Sequence, residues 1–408
     1  MKLGVDIYFT LALASLALVV GYLLIDRIRL LASYSIPAAV VGGLLFAAAL
    51  TALRGIAGIE VAFDGALLTP LNIAFFTSVG LAADARALAK GGKTLLIFFF
   101  VVAGGLVMQN TIGTSMALLF DLNPVNGLLA GSITLSGGHG TGAAWAGKFF
   151  EERNVQGAVE LAVASATYGL VAGGVIGGPL AGWLIRRHKL RGNEPHVEHK
   201  VEQKAEARTR TDTAPSGPVP QRKLIETLLL MVGSMAVGLA LYGWIGDARI
   251  TLPSFIWALL VGVVLRNLLS ISGVYQVDDR ALELLGGLSL SLFLAMIIMT
   301  LKLWELVDLA GPILAILLVQ TVAMLAYVVF VTFRVMGRNY DAALLATGHM
   351  GFAMGSTATA MVNVQAVSER FGHSALAFLV IPVMGAFLID IANALIIQGF
   401  LLLPWFNW

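Results

Sequence analysis

The sequence predicts an all-α polytopic membrane protein with about ten transmembrane helices in two inverted five-span repeats, each carrying a re-entrant, glycine-rich hairpin. Composition is the first sign. The 408 residues are 58% hydrophobic and only 12% charged, with a mean hydropathy of +0.87, whereas soluble domains run near a quarter charged. The second sign is that charges fall in short clusters between apolar runs of about 20 residues, the length a helix needs to cross a hydrocarbon core. The third is a pair of glycine-rich segments that interrupt this pattern at matching places in the two halves.

Taken in order, the apolar runs place spans near 7–25, 36–53, 67–82, 94–120 and 157–185 in the first half. A polar stretch at 186–223 follows, and further spans fall near 224–246, 252–270, 283–301, 309–333 and 374–403. The run from Ile7 to Ile25 is too long for a signal-peptide core and no small-residue cleavage site follows it, so it is expected to be retained as a span. If 186–223 is cytoplasmic, the cytoplasmic side holds 20 Lys and Arg against 6 on the other. Positive residues concentrate on the cytoplasmic side, so both termini are expected outside.

The halves match each other at a nearly constant separation. Pro37 and Pro253, Asn123 and Asn339, the Leu-Leu-Ala runs beginning at Leu128 and Leu344, Thr141 and Thr357, and Gly169 and Gly385 are each 216 residues apart. Glu152-Arg153 and Glu369-Arg370 lie 217 apart. With five spans per half the second copy must thread upside down, and inverted repeats suit a protein that opens one site to either face of the membrane in turn. The expected organisation is 1–185 as the first repeat, 186–223 as a cytoplasmic polar linker and 224–408 as the second repeat.

Residues 126–147 read NGLLAGSITLSGGHGTGAAWAG and residues 341–366 read DAALLATGHMGFAMGSTATAMVNVQA. Glycine lowers helix stability by about 1 kcal/mol relative to alanine, and broken backbone survives at membrane depth only where protein or a wet cavity surrounds it. Both segments are therefore expected to be re-entrant hairpins whose tips approach each other near the midplane. Freed N–H groups and helix N-termini suit carboxylates, and freed carbonyls suit a hard cation such as Na+. The candidate substrate-binding residues are Ser136, Gly137, Gly138, His139, Gly140 and Thr141, facing Gly351, Gly355, Ser356, Thr357 and Thr359. Glycines spaced four apart, Gly127 with Gly131 and Gly173 with Gly177, fit helix close-packing better than a ligand role.

An ionisable group inside a span is costly and commonly faces a functional interior. Asp390 lies in the last span with Asn393 on the same helical face, and the pair is the candidate sodium site. A structural hydrogen bond is the alternative reading. Glu160 fits an interfacial or an interior role equally. His139 and His349 read as hydrogen-bonding supports, and Gln109, Asn110 and Gln320 as helix glue or cavity lining. The cluster His196 and His199 belongs to a charged, linker-like stretch rather than to a metal site. A net charge of +2 with Lys and Arg gathered in loops gives no nucleic-acid footprint. Zero cysteines exclude disulfides, thiol nucleophiles and cysteine-ligated metals.

Several long motifs resemble the bacterial sodium/glutamate symporter family: PAAVVGGLL, GLLAGSITLSGGHGTGAAW, LSLSLFLAM, LKLWEL, NYDAALLATGHMGF and AFLVIPVMGAFLIDIANALI. The likeness runs along nearly the whole chain. It implies about ten spans with two re-entrant hairpins, sodium-driven symport of L-glutamate across the bacterial inner membrane, and a lipid-embedded homodimer in which a scaffold holds a moving part. No cofactor is implied beyond Na+ as coupling ion. The second hairpin departs from many members, which carry a proline where Ala358 stands and a small residue where Ser356 stands. Gly355, Thr357 and Thr359 are then left to shape the tip, and substrate or ion preference is free to differ. Rival readings are a symporter of another small carboxylate, a passive channel, and an intramembrane hydrolase built on Ser136, a histidine and Asp390.

Overall fold

The computed structural model describes residues 2–29, 31, 36–190, 218–245, 253–302 and 310–406. Most of the expected linker, 191–217, lies outside the described residues, and so do His196 and His199.

A strand β1 (Lys2–Val5) precedes α1 (Ile7–Arg27), whose first turn is capped by Asp6 accepting from the Phe9 N–H at 2.9 Å. After α2 (Ala38–Ala57), strand β2 (Glu60–Phe63) pairs in parallel with β1, Lys2 opposite Glu60. This short ladder departs from the all-helical expectation. Its residues lie outside the apolar runs, where helix periodicity gives no signal and extended backbone can pair. The first half continues with α3 (Leu68–Ala82), α4 (Ala85–Leu119), α5 (Pro124–Leu128) running into a wide π turn at Leu129–Ile133, α6 (Gly138–Arg153) and α7 (Ala158–Arg187).

The second half follows the same order. It comprises α8 (Gln221–Ile245), α9 (Ser254–Ser272), α10 (Asp279–Met299), and α11 (Ala310–Tyr327), which a π turn at Val328–Thr332 extends. Then come α12 (Tyr340–Met354), α13 (Thr357–Phe371), α14 (Ala375–Val383), a π turn at Met384–Leu388 and α15 (Ile389–Leu401). Among the described residues, 8 helices are long and apolar enough to cross a membrane, where the sequence suggested about ten. The difference lies in two places. Helix α3 has 15 residues, roughly 22 Å of rise against a core of about 30 Å, and the last expected span is divided by its π turn.

Positions matched between the halves do matching work. Pro37 and Pro253 stand at the starts of α2 and α9, and Asn123 and Asn339 cap α5 and α12 with their side chains. Arg153 and Arg370 both sit in last helical turns, those of α6 and α13.

Packing sorts the helices into two groups. One joins α1, α2, α3, α8, α9 and α10; the other joins α4, α5, α6, α7, α11, α12, α13 and α15. Along the seam, the ring of Trp145 on α6 stands 5.9 Å from that of Phe255 on α9. Arg266 ties its own group to the neck of α4, reaching Asp279 at 2.8 Å and Asp84 at 3.6 Å. Within the second group, backbones touch where glycines meet: a Cβ on Gly113 would overlap the Gly127 carbonyl, and one on Gly127 would overlap Gly113. Overpacking such a contact costs about 1–3 kcal/mol. Gly113→Ala is therefore expected to lower the thermal unfolding midpoint in detergent, whereas Gly233→Ala, with nothing within 4 Å of the added methyl, leaves it unchanged.

Candidate functional site

Two helix pairs, α5–α6 and α12–α13, are broken in the middle of the second group, and their breaks meet. Gly138 adopts φ +69°, a conformation that glycine takes without steric cost, and its missing Cβ would sit 3.7 Å from the carbonyl oxygen of Gly355. At the second break Ser356 is extended, and its hydroxyl accepts from the Thr359 N–H at 3.2 Å. That side-chain cap starts α13 without a proline, a use typical of serine at a helix N-terminus.

Gln109 on α4 clasps the two breaks together. It is fully buried, accepts from the Ser136 hydroxyl at 2.7 Å and donates to the Ala353 carbonyl at 2.8 Å. Its own backbone carbonyl accepts from the Gln320 amide of α11 at 2.6 Å. Ser136 also lies 3.3 Å from the Ala353 carbonyl, so one hydroxyl touches both the clasp and the second break. One turn away, Asn110 accepts from the Ser132 N–H at 3.0 Å, in the π turn where Gly131 leaves helical geometry.

Asn393 reads the same turn from α15. Its carbonyl oxygen accepts from the Ser132 hydroxyl at 2.5 Å, and its amide donates to the Ser132 carbonyl at 2.9 Å. Asp390 lies one turn before it on α15, partly buried. Among the described residues no group of three His, Asp or Glu comes together. A cation here would be held by one carboxylate and neutral oxygens.

The histidines are supports. His139 pairs through Nε2 with Thr167 Oγ1 at 3.0 Å, and the Thr167 proton is already donated to the Val163 carbonyl at 2.8 Å, so His139 is the donor. His349 Nδ1 lies 2.9 Å from Thr332 Oγ1, within the π turn of α11. Among the described residues Ser136 bonds to an amide, and neither His139 nor His349 bonds to a serine.

The sequence profile of the family described as sodium/glutamate symporter matches residues 3–373. A sodium/glutamate symporter of Escherichia coli (strain K12) is 49% identical over 402 residues, covering 98% of each chain. One of Haemophilus influenzae is 44% identical over 391 residues, 96% of each. The chain belongs to the sodium/glutamate symporter family.

Not every expected tip residue of this family member reaches the second break. Ser136 and Gly138 do, but a Cβ on Gly140 would meet Phe75 and Leu290, so Gly140 faces the seam. Thr357 turns its hydroxyl to the Gly385 carbonyl in the π turn before α15, at 2.7 Å, and a Cβ on Gly351 would press on Ala360 in its own pair. Gly137 packs on Thr141, which is buried, as is Thr359. Gly127 proves a packing glycine against Gly113, and Gly177 lies against Asn363, as their spacing suggested. Glu160 is buried and accepts from the Lys302 N–H at 2.7 Å.

The sequence reading of Gln109 as helix glue or cavity lining did not single it out as the link between the two breaks. Its only sequence signal is the polar pair Gln109-Asn110 inside an otherwise apolar run. Removing one partner of a buried hydrogen bond costs about 1–3 kcal/mol. Gln109→Leu is accordingly expected to lower thermal stability by that order and to abolish uptake, while Thr111→Val on the exposed face of α4 changes neither; unfolding and transport assays on the same preparations check it.

Proposed function

We propose that this chain is a secondary active transporter that couples the uptake of L-glutamate to sodium by alternating access. The observation that carries the reading is the meeting of two broken helix pairs, with Gly138 against the Gly355 carbonyl and Gln109 bonded to both. Broken helices at membrane depth are how transporters present N–H groups to an anionic substrate and carbonyls to its coupling ion. Here the exposed backbone of the tips takes the glutamate carboxylates, with Ser136, Gly137, Gly138, His139, Gly140, Thr141, Gly351, Gly355, Ser356, Thr357 and Thr359 forming or shaping the site. Asp390 and Asn393 hold sodium. One carboxylate among neutral oxygens suits a monovalent ion better than calcium, whose sites gather six to eight oxygens and commonly several carboxylates.

The broken pairs act as re-entrant hairpins in two inverted repeats, 1–185 and 224–408, joined by a cytoplasmic linker. The matched caps Asn123 and Asn339 and the matched starts at Pro37 and Pro253 support that threading. Both termini lie outside the bacterial inner membrane. Transport is elevator-like: the helix group that holds the tips moves against the α1–α2–α10 group, and the two-group packing supports a seam for that motion. A homodimer of the outer group braces the motion. Transport, not hydrolysis, is the work of the buried polar groups.

Purified protein in liposomes is expected to accumulate labelled L-glutamate under an inward sodium gradient and not under potassium or proton gradients alone. Asp390→Asn raises the sodium concentration for half-maximal uptake at least several-fold, whereas Thr141→Val and Ser356→Val raise the glutamate concentration instead. Unchanged sodium dependence in Asp390→Asn would remove it from the ion site.

A further inference from the structure

Beyond the tips, α4, α5 and α15 share a set of buried polar atoms that nothing in the hairpin account uses. Asn110 Nδ2 and Thr114 Oγ1 on α4, Asn126 Oδ1 on α5 and Gln398 Oε1 on α15 have no hydrogen-bond partner among the described residues. Their residues are 0%, 2%, 6% and 9% exposed, so bulk solvent does not satisfy them. An orphaned buried polar group ordinarily costs about 1–3 kcal/mol, and three neighbouring elements hold four of them.

They follow one another along the elements from their ends inward. Helix α15 packs on α4 and on the π turn after α5, and the short turn at Pro404–Phe406 packs on α5. Thr114, Asn126 and Gln398 all lie near the ends of these elements, at Leu119, Pro124 and Leu401. Asn110, Ser132 and Asn393 come next, already bonded to one another through Ser132. Asp390 lies further along α15, eight residues from Gln398, roughly 12 Å along the helix. Leu395 on α15 is 55% exposed and lies opposite Asn393 across the helix.

We propose that these residues line a separate access route for the coupling cation, running from the membrane surface at the ends of α4 and α15 to Asp390, apart from the glutamate path between the tips. Thr114, Asn126 and Gln398 supply oxygens for a partly hydrated sodium ion, and Asn110 Nδ2 donates to its water. A buried water needs two to four polar partners, which this set supplies and which helix packing alone leaves unused. In the orientation proposed above, the route opens outside. It rests on Asp390 as the ion site, and it adds that sodium and glutamate reach the site by different paths.

The chain contains no cysteine, so a single one can report the path. Thr114→Cys, Gln398→Cys and, as the lipid-facing control, Leu395→Cys are reconstituted and exposed to external Ag+, a monovalent ion of sodium-like size that binds thiolate. Uptake by the first two is expected to be lost at least tenfold faster than in Leu395→Cys, and saturating sodium slows that loss several-fold. Silver sensitivity no greater than the control's, or unaffected by sodium, overturns the route. A second measurement guards against a local fault. Gln398→Leu and Thr114→Val are expected to raise the half-saturating sodium concentration while glutamate half-saturation at saturating sodium holds; the reverse pattern also overturns it. Sodium-protected silver block together with normal sodium dependence in Asp390→Asn would keep the route and discard Asp390 as its end.

Discussion

A helix broken inside a membrane leaves N–H and carbonyl groups that lipid cannot satisfy, and the arrangement of this protein follows from where those groups go. At the first break they are met by Asn110 and Asn393, both bonded to Ser132. At the second the Ala353 carbonyl is met by Gln109, which also holds Ser136. One side chain thereby fixes the separation of the two tips. A site whose donors and acceptors are set by such a clasp is preorganised, and binding then costs less ordering of the protein.

The same demand explains the glycines and the seam. Gly113 and Gly127 bring α4 against α5 closely enough for α4 to deliver Gln109 and Asn110 to the break, and Gly169 lets α7 approach the Met354 carbonyl. Backbone contact closes the tips here, and a cavity of about 190 Å³ lies on the seam, lined by Asn72, Lys148, Glu152 and Ser254 among others. Buried Glu160 is bonded across that seam to the Lys302 N–H.

Much of this was legible in the sequence because membrane spans and helix breaks have strong local signals. Long apolar runs located α1, α2, α4 and α7 to α11, and dense glycine located both breaks within a few residues. The β1–β2 ladder was not legible, since four-residue strands outside apolar runs carry no periodic signature. The bounds of α3 were legible, 67–82 expected against Leu68–Ala82, whereas the π turn between α14 and α15 was hidden, because hydropathy registers apolarity and not helix register. Of the tip residues expected from the pattern, Ser136 and Gly138 lie where the two breaks meet, whereas Gly140 and Thr357 share that pattern but turn toward Phe75 and Gly385. Gln109 was read as helix glue or cavity lining, but its bridging of both breaks was hidden because its partners are 27 and 244 residues away, a relation no local spacing encodes.

If sodium and glutamate occupy one preorganised site, their binding must be linked even without a membrane or a gradient. Equilibrium binding of labelled L-glutamate to the purified protein in detergent, measured across sodium concentrations, tests this most directly. The account predicts that the glutamate dissociation constant falls steeply as sodium rises, and that Asp390→Asn flattens the dependence. Glutamate binding of equal affinity with and without sodium would contradict it.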